Sequence, residues 1–563
     1  MNPGPGDGGR MRPRGMVLGI LLAAVASTAA AQEKPVPPRR EVSVARDSVA
    51  RSTERLPKID LPEYDITGDE VMDLPSFSKQ AAEGGTALDP LAGRNGGSRE
   101  HLGDAGIGRA ADREAAAAGL RGKAGASYGS YVTPALQASF GQRFDATDVL
   151  LKGAYRSSEG HAPNRDFREA SASVGVGVEL DRDEAGGVNR LDGTLGLDGD
   201  GYRLFGSSVP DRTRTVERSF LEGSVSGASD FLTSFEAGMR IGTAGVTDSL
   251  VARETEVGLT AAGEAELGGF TLDADAAFWV DFYRPSTTGS NPILLTLRPV
   301  ARTMLTADLK AYAGFGFHLV RGSDTPALGR FWPEAGLSWY ASDRVTVFGA
   351  FEPTVERMNL GSLVRLHPYL VNNAVLRHTE FPVVVRAGVE YVPSRSWTVT
   401  AAAFYEEARG LPLPLDPSGA QLWTIAYDGT TRITGFEAEV YGALTADDQL
   451  GAAAEVRALH NSSTDGIPPY YPPYTVSVSY TRRFPFGLSA GTRFQGVGSQ
   501  QVDAANTETL PAYLLWSLEA EYRLLPPLGL TFGLTNILNA RAERFKGYET
   551  RPRAVSFGLA YTW

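Results

Sequence analysis

Six histidines are the residues of this 563-residue chain best suited to hold a metal or relay a proton, and they stand apart: His101, His161, His318, His367, His378 and His460. None falls in an H-x-x-x-H or H-E-x-x-H pattern, which would set two imidazoles one helical turn apart. His367 and His378 read as solvated outer-loop residues rather than metal ligands. The chain has no cysteine, which excludes disulfides and thiolate metal sites. No phosphate-binding loop of the G-x-x-x-x-G-K-[ST] type is present. No catalytic, cofactor-binding or metal site emerges, and the reading is not an enzyme. The net charge of −12 also argues against a nucleic-acid partner, which selects a basic surface.

The remaining chemistry lies in charges that alternate with apolar residues. Asp273, Asp275 and Asp281 oppose Phe270, Leu272, Ala274, Ala276, Phe278, Val280 and Phe282. Arg386, Gly388 and Glu390 oppose Phe381, Val383, Val385, Ala387, Val389 and Tyr391. Ser517, Glu519, Glu521 and Arg523 oppose Leu514, Trp516, Leu518, Ala520 and Tyr522, and Glu437 and Glu439 belong to the same inner set. Acidic residues dominate these faces, which suits a hydrated lumen mildly favouring cations, not a defined binding site.

Side chains that alternate with period 2 are positioned by β-strands. Many strands run roughly 12–16 residues, against about five or six in soluble sheets, and their apolar faces carry aromatics near the ends. The chain closes on such a strand, Val555-Ser556-Phe557-Gly558-Leu559-Ala560-Tyr561-Thr562-Trp563. Phe557, Leu559, Tyr561 and Trp563 share one face, as in the closing strand and sorting signal of an outer-membrane barrel. At the other end, Arg12 and Arg14 precede an apolar run from Met16 to Val25, and Ala29 and Ala31 form an A-x-A cleavage site. Residues 1–31 therefore read as a signal peptide, directing the chain to the outer membrane of a Gram-negative-type envelope. No later apolar run is long enough for a transmembrane helix.

Connections alternate in length when counted back from the carboxyl end. Residues 541–549, 499–508, 461–471, 409–418 and 355–377 are long. Leu525-Pro526-Pro527, Phe484–Gly487, Thr445–Asp448, Pro393–Arg395 and Ala341–Asp343 are short. Short periplasmic turns and longer outer loops produce this alternation. The predicted fold is all-β, a transmembrane antiparallel barrel of about 22 strands over residues 119–563, starting near Arg121. In this count residues 420–442 form one strand with a bulge near Asp428-Gly429-Thr430. Residues 32–118 read as a mostly irregular periplasmic or lumenal segment.

The second half of this pattern resembles the TonB-dependent receptors. Phe404-Tyr405, Tyr427-Asp428-Gly429 followed by Gly435-Phe436-Glu437, and Pro468 to Pro473 resemble the family's late-barrel runs. Leu510-Pro511-Ala512-Tyr513, Asn536-Ile537-Leu538-Asn539, and Gly547-Tyr548 with Arg553 follow in the family's order. The family's usual asparagine is absent, with Asp428 nearest to its place. The resemblance implies import of a small-molecule nutrient, such as a siderophore, vitamin or saccharide. Its implied partners are TonB, outer-membrane lipid and the barrel-assembly machinery, and it implies no cofactor. Within residues 61–70, Tyr64, Asp65, Ile66, Thr67 and Gly68 resemble the stretch that meets TonB. The plug domain that fills the family's lumen is missing or much reduced here. Residues 57–118, the loop 355–377 or a partner must then occlude the lumen. A plug-less passive channel and a docking barrel for an envelope complex remain alternatives.

Overall fold

The computed structural model describes residues 121–563, apart from 183–187, 230, 285–290 and 395. The signal peptide, the 32–118 segment and residues Tyr64 to Gly68 lie outside the described residues. One antiparallel sheet of 23 segments closes on itself. Two segments, Val345–Phe351 and Thr354–Glu356, lie end to end along Thr379–Ser394, so the wall has 22 strands, as the connection pattern predicts. The first strand, Arg121–Gly129, pairs with Thr133–Phe144 on one side and with the last, Ala554–Thr562, on the other. Trp563 completes the seam: its N–H donates to the Gly122 carbonyl at 3.0 Å, and its own carbonyl accepts from Gly122 N–H at 3.1 Å. Closure leaves no unpaired edge, which a sheet in hydrocarbon requires.

The apolar faces point outward. Phe557, Leu559, Tyr561 and Trp563 are 63%, 52%, 49% and 45% exposed, the reverse of a soluble core, while Ala560 between them is buried. Val174, Val176 and Leu180 are likewise exposed, and Glu179 on the opposite face meets Arg143. Inside, the charges form cross-strand ion pairs: Asp273 with Arg302 at 3.0 Å, Glu521 with Lys123 at 3.5 Å, Arg156 with Glu169 at 3.2 Å, and Arg386 with Glu437. Charges on the inner wall are thus engaged in ion pairs, including acidic residues from strands whose faces read as acid-rich.

The short turns fall where the alternation places them, on the side that carries the seam of Arg121 and Trp563. Two local expectations are corrected. Residues 420–442 are not one bulged strand: Thr424–Ala426 pairs with Leu413–Leu415 in a loop hairpin, and the barrel strand starts afresh at Thr430. Gly429, with φ at +78°, makes the turn between them. The phase change at Ile425 and Tyr427 marks this loop. Phe381, read in line with Val385 and Val389, is fully buried because the register slips between Glu380 and Val383 and rotates it off the lipid face. It packs with Ile433, Leu459 and Leu413.

The largest apolar core sits among the long loops. Leu204, Met358, Leu363, Leu376 and Trp423 are each 2% exposed or less and share one cluster with Tyr202, Tyr283, Phe545 and Tyr548.

Candidate functional site

This core is organised by residues 357–378, a strap between the split strand and Thr379–Ser394. Between Met358 and Leu376 the strap holds a single charged residue, Arg365. Such a stretch is poorly suited to lie free in water, and it folds inward. A capping box starts its helix, Leu360–Leu366: Asn359 Oδ1 accepts from Ser362 N–H at 2.7 Å, and Ser362 Oγ from Asn359 N–H at 2.9 Å. Leu360, Leu363 and Val364 form its buried face. Pro368 ends it by forcing His367 into extended backbone.

Beyond the helix the strap has no regular ladder, so its carbonyls need partners from the wall and neighbouring loops. Pro368 O accepts from the Tyr202 hydroxyl and from Arg214 Nη1, both at 2.7 Å. Arg214 is 1% exposed and also holds Asp248. Ala374 O accepts from the Tyr283 hydroxyl at 2.6 Å, and Val375 O from the Tyr427 hydroxyl at 2.7 Å. Leu376 exchanges hydrogen bonds with Ser323, and Arg377 forks onto Asp324. The Arg377 bonds hold the Asp324 carboxyl below its usual range.

The strap is rooted between the thirteenth and fourteenth strands, yet Tyr202 and Arg214 belong to the fifth and sixth, Val188–Arg203 and Thr213–Gly227. It therefore crosses the outer mouth as a chord. Three further loops close on it. His367 is fully buried, with ring centroids of Phe545 at 3.8 Å, Trp423 at 4.6 Å and Tyr470 at 5.8 Å from its own. Tyr369 stacks on Tyr548 at 3.5 Å.

The near end of the strap is ionic. Arg357 Nη2 reaches Glu256 Oε2 at 2.9 Å and pairs closely with Asp281, while its guanidinium lies 4.1 Å from the Trp279 ring centroid. Asn359 Nδ2 donates to the same Glu256 oxygen at 3.0 Å, and Leu360 N–H to Glu254 Oε2 at 2.9 Å.

The expectation that His367 and His378 are solvated is corrected. Burial first, then Arg544 and Arg214, pushes His367 well below its ordinary value. Burial and Arg357 bring His378 to about 3. Both rings are neutral, and His378 Nδ1 accepts from Met358 N–H at 3.1 Å. Among the described residues no group of three or more His, Asp or Glu side chains could hold a metal ion. Gly125-Ala126-Ser127-Tyr128-Gly129 spells G-x-S-x-G but runs inside the first strand, not on the strand-to-helix elbow that exposes a nucleophile. The anticipated closing-strand residues Phe557 to Trp563 lie on the outer wall, away from this site. Arg357, Tyr202, Arg214, Tyr283 and Tyr427 are not anticipated from sequence; the charge-poor strap with its 360, 363, 364, 367 spacing is the signal that could have pointed there.

Residues 73–537 match the family described as "TonB dependent receptor-like, beta-barrel". No curated protein matches the chain. Among solved structures, the fold is similar to the FrpB iron transporter from Neisseria meningitidis (F3-3 variant), at 12% identity over 79% of this chain and 81% of that one, with a TM-score of 0.63. It is also similar to the siderophore receptor PiuA from Acinetobacter baumannii, at 10% identity over 79% and 82%, with a TM-score of 0.60. The copper transporter OprC gives 14% identity over 79% and 80%, with a TM-score of 0.59. At these identities the likeness concerns the fold.

Proposed function

This chain belongs to the TonB-dependent receptor-like β-barrel family, and from that premise we propose that it is a gated importer of a small-molecule nutrient across the outer membrane. The observation that carries the gate is the strap 357–378, anchored across the outer mouth by the wall and three loops. A 22-stranded wall needs such an occlusion, since a barrel of that size encloses a wide lumen. The strap supports gated import over a permanently open channel. Iron, siderophore and copper in the names of the similar structures support a metal-carrying cargo over a vitamin or saccharide.

Energy for opening comes from TonB in this reading. Tyr64, Asp65, Ile66, Thr67 and Gly68 add as an extended strand to TonB's sheet edge, where backbone hydrogen bonds supply affinity. Phe557, Leu559, Tyr561 and Trp563 serve as the strand read by the barrel-assembly machinery, and then face lipid.

The test is uptake of a panel of labelled ferric siderophores by cells carrying the full chain or a deletion of residues 61–70, with and without a protonophore. Energised import predicts that both the deletion and the protonophore abolish uptake. Uptake that survives both overturns the TonB reading in favour of a passive channel.

A further inference from the structure

We propose that Glu254, Glu256, Asp281 and the Trp279 ring form a cation-recognition site, that Arg357 fills it as an internal surrogate while the strap is closed, and that the imported ligand carries a guanidinium or ammonium group that takes Arg357's place. This rests on the gated-import reading and names the chemistry of its ligand.

The strand register carries the inference. Glu256 and Asp281 are directly opposed across the pair Val251–Leu267 and Phe270–Arg284. Like charges at opposed positions repel unless a cation lies between them. Both are buried, at 7% and 0% exposure, and Glu254, one inward position further along its strand, is 3% exposed. The wall's own cation nearby, Arg240, reaches Glu256 Oε1 at 2.8 Å but is shared with Glu222 at 3.2 Å. The opposed carboxylates Glu256 and Asp281 thus depend on a charge that comes from outside the wall, and in the closed form the strap brings it, together with the Leu360 N–H on Glu254.

The cleft also has unused capacity. Glu254 Oε1 and Asp281 Oδ2 are buried and make no hydrogen bond among the described residues, so the site has acceptors that Arg357, whose own Nε also stays unbonded there, does not reach. The Trp279 face under the guanidinium adds a surface that selects cations over neutral donors. With Arg357 withdrawn and not replaced, the opposed Glu256 and Asp281 repel across the strand pair, which disfavours an empty open state. A cationic ligand removes that obstacle. Because Asn359 and Leu360 bind the same carboxylates, its arrival competes with three strap contacts together.

The experiment uses the full chain in planar bilayers, with agmatine as the guanidinium probe and n-butylurea as its uncharged counterpart, added on the long-loop side. Agmatine raises the open fraction of wild type saturably and n-butylurea does not. Glu256→Gln with Asp281→Asn weakens the agmatine response at least tenfold. In calorimetry Arg357→Gln binds agmatine at least tenfold more tightly than wild type, because the internal competitor is gone. Arg357→Lys keeps a cation and serves where Arg357→Gln does not fold; it opens at lower agmatine than wild type. If Arg357→Gln, or Arg357→Lys in its place, binds agmatine no more tightly than wild type, or if n-butylurea acts as well as agmatine, the surrogate proposal is overturned while the gate stands. If loosening the strap by Tyr202→Phe, Tyr283→Phe and Tyr427→Phe together leaves the mouth closed, the gate reading itself falls.

Discussion

Three phenolic hydroxyls hold the backbone of the strap, and replacing each tyrosine by phenylalanine removes the hydroxyl and little else. Tyr202 serves Pro368, Tyr283 serves Ala374 and Tyr427 serves Val375, at 2.6 to 2.7 Å. A hydrogen bond of this kind contributes about 1 kcal/mol net, and stranding a buried carbonyl raises the loss toward about 3 kcal/mol. The Pro368 carbonyl keeps Arg214 as a second donor, so Tyr202→Phe falls at the low end. About 1 kcal/mol is roughly a fivefold change in the closed-to-open ratio. Tyr283 and Tyr427 grip neighbouring carbonyls, so their double variant is non-additive, whereas Tyr202 acts at a separate point and adds. The triple variant loses about 3 kcal/mol or more, on the order of a hundredfold in that ratio. Single-channel recording reads the open fraction directly, with the lipid-facing Tyr561→Phe as control. A triple variant with the wild-type open fraction refutes the strap as the barrier.

Acidification withdraws the histidines' contribution to closure. Burial holds His367 and His378 far below 6.5 in the closed form, so that contribution is complete above about pH 6.5 and is lost as pH falls. At pH 5 each contributes roughly 2 kcal/mol against closure, and conductance in His367→Phe is correspondingly less pH-dependent. Leu559→Arg places a charge on the lipid face and destabilises the barrel by about 2–4 kcal/mol, measured by urea unfolding in vesicles. Gly122→Ala drives a methyl into the Trp563 ring, so it dislodges that ring and slows closure of the seam. Gly269→Ala, where nothing lies within 4 Å, leaves assembly unchanged, and heat-modifiable gel mobility distinguishes the two.

The barrel was legible because lipid and water impose opposite demands on alternate residues, and that rule is local. Val174, Leu559 and Asp281 each point where the alternation sends them. Reading failed where locality fails. Phe381 is turned by a register slip that leaves no mark in its own segment. Ile425 and Tyr427 keep strand-like chemistry inside a loop hairpin, so only their pairing with Leu413–Leu415 separates them from the wall. The site was least legible. Arg357 meets Asp281 76 residues away, and Tyr202 meets Pro368 166 residues away, and no spacing rule joins such residues. The loop 355–377 could be named as an occluding element from its length, but not the grip on the strap within it, because that grip depends on which wall carbonyls and hydroxyls closure brings into reach.

The seal at the mouth draws on the chain from Tyr202 to Tyr548, and the stacking of Tyr369 on Tyr548 joins the strap to the last long loop. It follows that the lid is a late product of biogenesis. Until the final strand is seated, Tyr548 has no place to stack and His367 lacks Phe545. A half-built wall therefore has no cover, and the same event that zips Trp563 against Gly122 lets the mouth shut. Completion of the cylinder and closure of its mouth then become one step, because both draw on the last hairpin.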